Sequence, residues 1–414
     1  MTDEATPDLL AIKTQYVSRL RAIAQRTVKK RLILFFGRES FSDNSKYLYL
    51  HMVENYPDAE VIWCSAESEV IEQLREHQLP HCDLSGDLQE VFTLLLHAAV
   101  AIFCVNPSQS LVANDLLFAC LAGTTQIQLW HGVSVKKLLL QLTPYLSVLD
   151  EPFCRPLAWA SRADYVLSPS ANLDAYWHQV FGVKTLLRGG FPRNEVICRP
   201  ATAQELIGAH LPPAAEAALN GKRRKLLLVP TWQRGKPTPL TEAGFLVRLV
   251  NCARKHNIDI FFKVHPLYIH QPALTNRQVD RLFILPAGVD LYPHLARFDL
   301  LMTDYSSIMF DFLLTGNPVM ALDIQQGDHQ RFEPDYSLLP PHDEFRHCFV
   351  PESVETVLLA ALRQDDKQAA RAALAYSLFG VAPGEYQPVN AALMAKVDRI
   401  LQQKCAEDGR FEVM

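Results

Sequence analysis

Short apolar runs recur along the chain, each broken by polar residues and followed by a stretch with helical spacing. The runs RLILFF (31–36), EVIWC (60–64), VAIFCV (100–105), TQIQLW (125–130), DYVLS (164–168) and VKTLL (183–187) predict strands. Between them, 44–54, 86–98, 109–121, stretches near 134–142 and 151–161, and 171–181 predict helices. Continuous apolar runs fit strands buried on both faces, and their alternation with helices predicts a parallel sheet covered on each side. Ahead of this pattern, 8–30 predicts a helix with Leu9, Ile12, Tyr16, Leu20 and Ile23 on one stripe and Lys13, Arg19, Arg21, Arg26, Lys29 and Lys30 between them. Such a helix either covers the body with a solvated basic face or lies on anionic lipid.

The alternation stops over 198–224, where three prolines, many alanines and a basic run read as a short helix with linker segments. It restarts with strands at 225–230, 258–264, 281–285, 298–303 and 318–322. Helices are predicted at 240–256, 290–297, 305–315, 353–363, 366–378 and 388–404. The expected organisation is therefore a domain over 1–200, a linker over 201–224 and a second domain over 225–414.

Composition narrows the class. With 414 residues, 49% hydrophobic and 21% charged, the chain has material for two globular domains. A net charge of −5 argues against a nucleic-acid binder. Nine scattered cysteines with no CxxC pair argue against a disulfide scaffold or a structural zinc site. The acidic opening MTDEATPD lacks the basic start of an export signal, and the apolar run 91–105 is too short to span a bilayer. A cytoplasmic chain is expected.

Candidate chemistry clusters after the strands, where open α/β sheets bind ligands. In LWHG (129–132) a glycine turn follows a strand, and Lys136 comes one helical turn later. His131 there is either a hydrogen-bonding turn residue or a base for an attacking hydroxyl. KVHP (263–266) places Lys263 and His265 on one face of a strand end, suited to phosphate. PTWQRGK (230–236) offers Arg234. In TDYSSIMFDF (303–312) a strand ending in Thr303 and Asp304 empties through Ser306 and Ser307 into an apolar helix carrying Asp311, which is either a serine cap or an anion site. GRESFSDNSKYLY (37–49) contains Asn44, and GGFPRNEV (189–196) contains Arg193; neither is a dinucleotide fingerprint. No HExxH, GxSxG, Walker A or Asp-x-Asp pattern occurs, so neither a metal nor a cofactor is expected.

Taken in order, ESFSDNSKYLYLHM, QLWHGVSVKKLL, GGFPRNEV, VPTWQRG, FKVHP and LLMTDYSSIMFDF resemble the CDP-glycerol glycerophosphotransferase family of teichoic-acid primases, polymerases and capsule-building relatives, across roughly 31–322. The resemblance implies a GT-B-like α/β fold, two Rossmann-like domains facing across a cleft, with the acceptor on the first and the nucleotide donor on the second. It implies a CDP-activated polyol as donor, a lipid-linked or oligosaccharide acceptor, and CMP as product. His131 would be the base and His265 would offset phosphate charge. Ser306 and Ser307 would hold the pyrophosphate, Asp311 the donor hydroxyls, and Lys263, Thr303, Asp304 and Arg234 would complete the donor side. Asn44, Lys136 and Arg193 would serve the acceptor side or assist. Gln233 lies between Trp232 and Arg234, and WHG is followed by Val-Ser-Val-Lys where the family has Thr-Pro-Leu-Lys. The implied site of action is the cytoplasmic face of the membrane, with 8–30 as a peripheral contact. Two other readings fit the same pattern: a GT-B glycosyltransferase using a nucleotide-sugar, and a non-catalytic sensor of nucleotide or polymer.

Overall fold

A computed structural model describes residues 9–133, 156–182, 184–231, 238–263, 280–304, 306–323 and 342–409. The predicted stretches at 134–142 and most of 151–161 lie outside them. The chain divides into two compact units: Met1–His131, Leu139–Pro192 and Pro388–Met414 form one, and Gly132–Leu138 with Arg193–Gln387 form the other.

Among the described residues the first unit has seven parallel strands: β1 (Lys30–Phe36), β2 (Glu60–Ser65), β3 (His81–Asp83), β4 (Ala98–Phe103), β5 (Thr125–Gln128), β6 (Tyr165–Ser168) and β7 (Thr185–Arg188). Their spatial order is β3-β2-β1-β4-β5-β6-β7, so the winding reverses between β1 and β4. All six residues of β4 are buried, as its apolar run requires. Leu32, Leu34, Phe36, Ala101 and Phe103 form one side of the core with Val91, Leu95, Leu117 and Trp159 from the covering elements.

Among the described residues the second unit has six parallel strands: β8 (Arg224–Val229), β9 (Ile258–Lys263), β10 (Leu282–Leu285), β11 (Leu300–Thr303), β12 (Val319–Leu322) and β13 (His347–Phe349), in the order β10-β9-β8-β11-β12-β13. Here the reversal falls between β8 and β11. Leu226, Leu228, Ile260, Phe262, Leu300 and Met302 pack beneath the helices Ala243–His256 and Val354–Arg363.

Several elements depart from the predicted ones for physical reasons. The segment 109–121 is two short helices, Pro107–Ser110 and Asp115–Cys120, because Val112 and Ala113 turn left-handed at φ 51° and 50°. Asn114 then caps the second helix by accepting from the backbone N–H of Leu116 (3.0 Å) and Leu117 (3.4 Å). The helix over 305–315 is shorter: α-helical turns span Ile308–Phe312 and a 3-10 turn Leu313–Thr315 ends at Gly316, φ 73°. A helix at Ser68–Glu76 and the edge strand β3 were not predicted; β3 is three residues of mixed polarity and shows no period.

The division of the chain also differs from a single cut at 201–224. The stretch Arg193–Arg224 folds with the second unit: the Asp290 N–H donates to the Gly208 carbonyl (2.9 Å), and Arg297 pairs with Glu216 (2.9 Å). The last helix, Val389–Gly409, joins the first unit, where Leu393, Val397 and Leu401 are fully buried. Tyr56 donates its hydroxyl to Asp398, and Asn390 Nδ2 donates to the Pro192 carbonyl (3.3 Å).

Candidate functional site

Beyond the end of β5 the backbone enters an unusual turn. Trp130 has φ 55°, a region that bulky residues avoid. Three side-chain contacts hold it there. The Trp130 N–H donates to Gln128 Oε1 (3.0 Å), and Gln128 Nε2 donates to the Val105 carbonyl (2.9 Å). Asn44 Nδ2, fully buried, donates to the Trp130 carbonyl (2.8 Å). The indole packs edge-on against Phe181 at 5.1 Å between centroids. Strain of this kind persists only where the surroundings over-determine it.

The consequence falls on the next residue. The His131 ring leans on Trp130, 4.2 Å between centroids, and its Nδ1 lies 3.3 Å from the Cys104 carbonyl, just past β4. A carbonyl only accepts, so this contact favours the tautomer with hydrogen on Nδ1. His131 is half-buried and sits at the strand ends beside the reversal between β1 and β4. Asn44 therefore enters as a holder of the turn, and Gln128 as a residue the sequence did not single out.

In the second unit Lys263, Thr303 and Asp304 lie at the ends of β9 and β11. Thr303 Oγ1 donates to the Val229 carbonyl (2.6 Å), tying β11 to β8 where the winding reverses. Asp304, 1% exposed, accepts from the Thr231 N–H (2.9 Å) and from its hydroxyl. These two residues brace the loop that leaves β8. Ser306 and Ser307 follow, both half-buried. Ser307 takes the N-cap position with φ −60° and ψ −19°, and its hydroxyl makes no cap hydrogen bond. The expected serine cap is thus a cap by position alone. At the end of β9, Lys263 Nζ donates to the Val289 carbonyl (2.5 Å).

Asp311 has a different setting from the one expected for a donor ligand. Its carboxylate is 1% exposed and pairs with Arg193 Nη2 at 2.6 Å. Tyr292 donates its hydroxyl to the same oxygen (2.8 Å), and the Arg193 guanidinium lies 4.5 Å from the Tyr292 ring centroid. Gly132 rests on this cluster. A Cβ on Gly132 would lie 2.4 Å from Arg193 Nη2, and the glycine φ of 116° excludes side chains in any case. Arg193 and Asp311 are far apart in sequence yet form one buried pair, and Tyr292, which no motif marked, completes it. His265, Arg234 and Lys136 lie outside the described residues.

These features have counterparts among known proteins. The chain is 26% identical over 355 residues to a teichoic acid glycerol-phosphate transferase of Staphylococcus aureus, covering 82% of this chain and 85% of that protein. It is 25% identical over 318 residues to a teichoic acid poly(glycerol phosphate) polymerase of Staphylococcus epidermidis, covering 73% of this chain but only 42% of the polymerase. In structure it is similar to a variant of the wall teichoic acid polymerase TagF soaked with CDPG, with a TM-score of 0.66, 19% identity, and 96% and 95% of the two chains covered. A putative UDP-N-acetylglucosamine 2-epimerase from Listeria monocytogenes superposes with a TM-score of 0.50 at 15% identity over 88% of this chain and 94% of that one. These likenesses establish a GT-B-like α/β fold with a Rossmann-like sheet in each unit. Residues 18–343 match the profile of the CDP-glycerol:poly(glycerophosphate) glycerophosphotransferases, and the chain belongs to that family.

Proposed function

We propose that this chain transfers a glycerol-phosphate or related polyol-phosphate unit from a CDP-activated donor to a hydroxyl of a surface-polymer acceptor, releasing CMP. The observation that carries the mechanism is His131, held at a strand end with Nδ1 against the Cys104 carbonyl. Nε2 takes the proton of the acceptor hydroxyl. The oxygen attacks the phosphorus bonded to the polyol, the pyrophosphate bond breaks, and CMP leaves with the electron pair. The proton then passes to solvent.

Transfer of this kind depends on positioning and on offsetting phosphate charge. We assign that second task to Ser306 and Ser307, with His265, Arg234 and Lys263 as the cationic side. The uncommitted cap hydroxyl of Ser307 supports this reading. Thr303 and Asp304 hold Val229 and Thr231 at the end of β8, while Asn44 holds the turn bearing His131. Arg193 and Asp311 support Gly132. Lys136 serves the acceptor side.

The acceptor in this proposal is lipid-linked, and the chain works at the cytoplasmic face of the membrane. Among the described residues no helix is long and apolar enough to cross a bilayer. The helix Leu9–Arg26 instead exposes Tyr16 (61%) and Ile23 (54%) on the side that carries Arg19 and Arg26. Apolar and basic groups on one face suit an anionic surface. Liposome sedimentation tests this: deleting 1–26 lowers binding to anionic vesicles, and unchanged binding removes the membrane contact from the account.

His131→Ala tests the chemistry. Loss of a general base lowers turnover by about 10²–10⁴-fold, while donor affinity measured by calorimetry stays close to that of the parent. Near-parental turnover in that variant overturns the assignment.

A further inference from the structure

We propose that Cys252, His256 and Glu355 form a zinc-binding site on the helix pair that covers one face of the second sheet. Cys252 and His256 stand four residues apart at the end of Ala243–His256, so both face the same way. Glu355 enters from the first turn of Val354–Arg363. The Cys252 Sγ, a ring nitrogen of His256 and a carboxylate oxygen of Glu355 all lie within 4.8 Å of one another. Tetrahedral zinc with bonds of about 2.0–2.3 Å places its ligand atoms about 3.3–3.8 Å apart. His256 Nε2 and Glu355 Oε1 stand at 2.9 Å, so they open slightly while the sulfur closes in.

The donor set suits zinc, which accepts sulfur, imidazole and carboxylate together. Thiolate and carboxylate bring two negative charges to a divalent ion. Water takes the fourth position, because three protein ligands are present. Cys252 is 3% exposed and anchored in the core, which fixes the sulfur. Burial, reinforced by Glu355, pushes its thiol up to about 11. Without metal the sulfur therefore keeps its proton, and binding releases it to solvent as the S–Zn bond forms. Lys255 Nζ sits 2.7 Å from Glu355 Oε1 and competes with the ion for that carboxylate. The spacing hides the site from motif reading: a Cys-x-x-x-His pair completed by a glutamate about 100 residues later is not a CxxC pattern.

The test titrates the full chain with Zn²⁺ against a chromophoric chelator, with Co²⁺ as a visible probe of thiolate ligation. The expected result is one tight equivalent per chain, thiolate-to-cobalt absorption, affinity that rises with pH, and a zinc-dependent rise in melting temperature. His256→Gln and Glu355→Gln change side chains that are 17% and 43% exposed and lie outside the hydrophobic core cluster, so both variants are expected to fold. Each is expected to weaken zinc binding by at least about 100-fold, more than loss of an outer partner costs. Lys255→Ala removes the competitor and strengthens binding, which a purely structural ion pair would not do. Absence of a tight equivalent in the parent chain overturns the proposal. So does zinc binding that survives His256→Gln and Glu355→Gln, since the metal then sits on other residues.

Discussion

The β5 ladder ends at Gln128, and two residues later Trp130 turns to φ 55°. The information for that turn is in Gln128 and Asn44, whose side chains bind its backbone groups. Gln128 carries no chemical signature in sequence, because a glutamine in a strand usually meets solvent; here it is 1% exposed. Gln128→Ala leaves the Val105 carbonyl and the Trp130 N–H without these partners, a loss of about 1–3 kcal/mol each where such groups stay dry. Its sharper effect is on turnover: displacing His131 by about 1 Å lowers kcat by about 10²-fold, with the donor KM nearly unchanged. Steady-state kinetics with both substrates varied distinguishes this from simple unfolding. Gly132→Ala places a methyl carbon on the Arg193 guanidinium in a conformation alanine resists, and is expected to cost about 1–3 kcal/mol. Chemical denaturation reads it, and a variant of parental stability contradicts the packing described.

Elements were legible where a period or an apolar run was strong. β1, β4, β8 and β11 fall within a residue or two of the predicted runs, since each is buried and flanked by polar turns. The edge strand β3 was missed because an edge needs no continuous apolar run. The elements after 323 carried no recognisable motif, yet one of them holds a buried ion pair. Arg371, fully buried in Gln368–Phe379, pairs with Asp365 and donates Nη2 to the Gly316 carbonyl (3.2 Å). Arg371→Met is expected to lower stability by about 3 kcal/mol, because breaking such a pair strands its partner. Asp365 is 21% exposed, so water moderates the loss.

The short 3-10 helix Tyr292–Arg297 gives a pH prediction. His294 donates Nε2–H to the Ala209 carbonyl (2.7 Å) and accepts from Arg297 at Nδ1 (3.0 Å), a pattern that only the neutral ring satisfies. Burial, with Arg297 beside it, holds its pKa below the ordinary 6.5. The unfolded chain therefore takes up the proton first as pH falls. The stability from this residue is fully present above about 6.5 and is lost as pH drops toward the folded value. Melting curves between about pH 7.5 and pH 5.5 are expected to fall more steeply for the parent than for His294→Gln, which keeps both hydrogen bonds without titrating. Parallel slopes contradict the assignment.

At the scale of the molecule, the two α/β halves were legible because the alternation of strands and helices stops and restarts. The path of the chain between them was not. Composition placed the boundary in the proline- and alanine-rich stretch 201–224, but proline and alanine also pack, and that stretch belongs with the second unit. The last helix returns to the first unit, a long-range choice made by Leu393, Val397 and Leu401 that no local pattern announces. The motif residues fared similarly. Among the described residues, the strand-end positions of His131, Lys263, Thr303 and Asp304 were readable from order alone. That Asp311 and Arg193 form one buried pair with Tyr292 depends on side chains more than a hundred residues apart.

One assay addresses the proposed transfer directly. The full chain is incubated with CDP-glycerol and a glycerol-phosphate-bearing lipid acceptor, nucleotide products are separated, and the acceptor is weighed by mass spectrometry. The expected result is acceptor-dependent release of CMP, matched by an acceptor heavier by whole glycerol-phosphate units, and loss of both in His131→Ala. Release of a nucleoside diphosphate from a nucleotide-sugar, or binding of CDP-glycerol without consumption when acceptor is present, would contradict it.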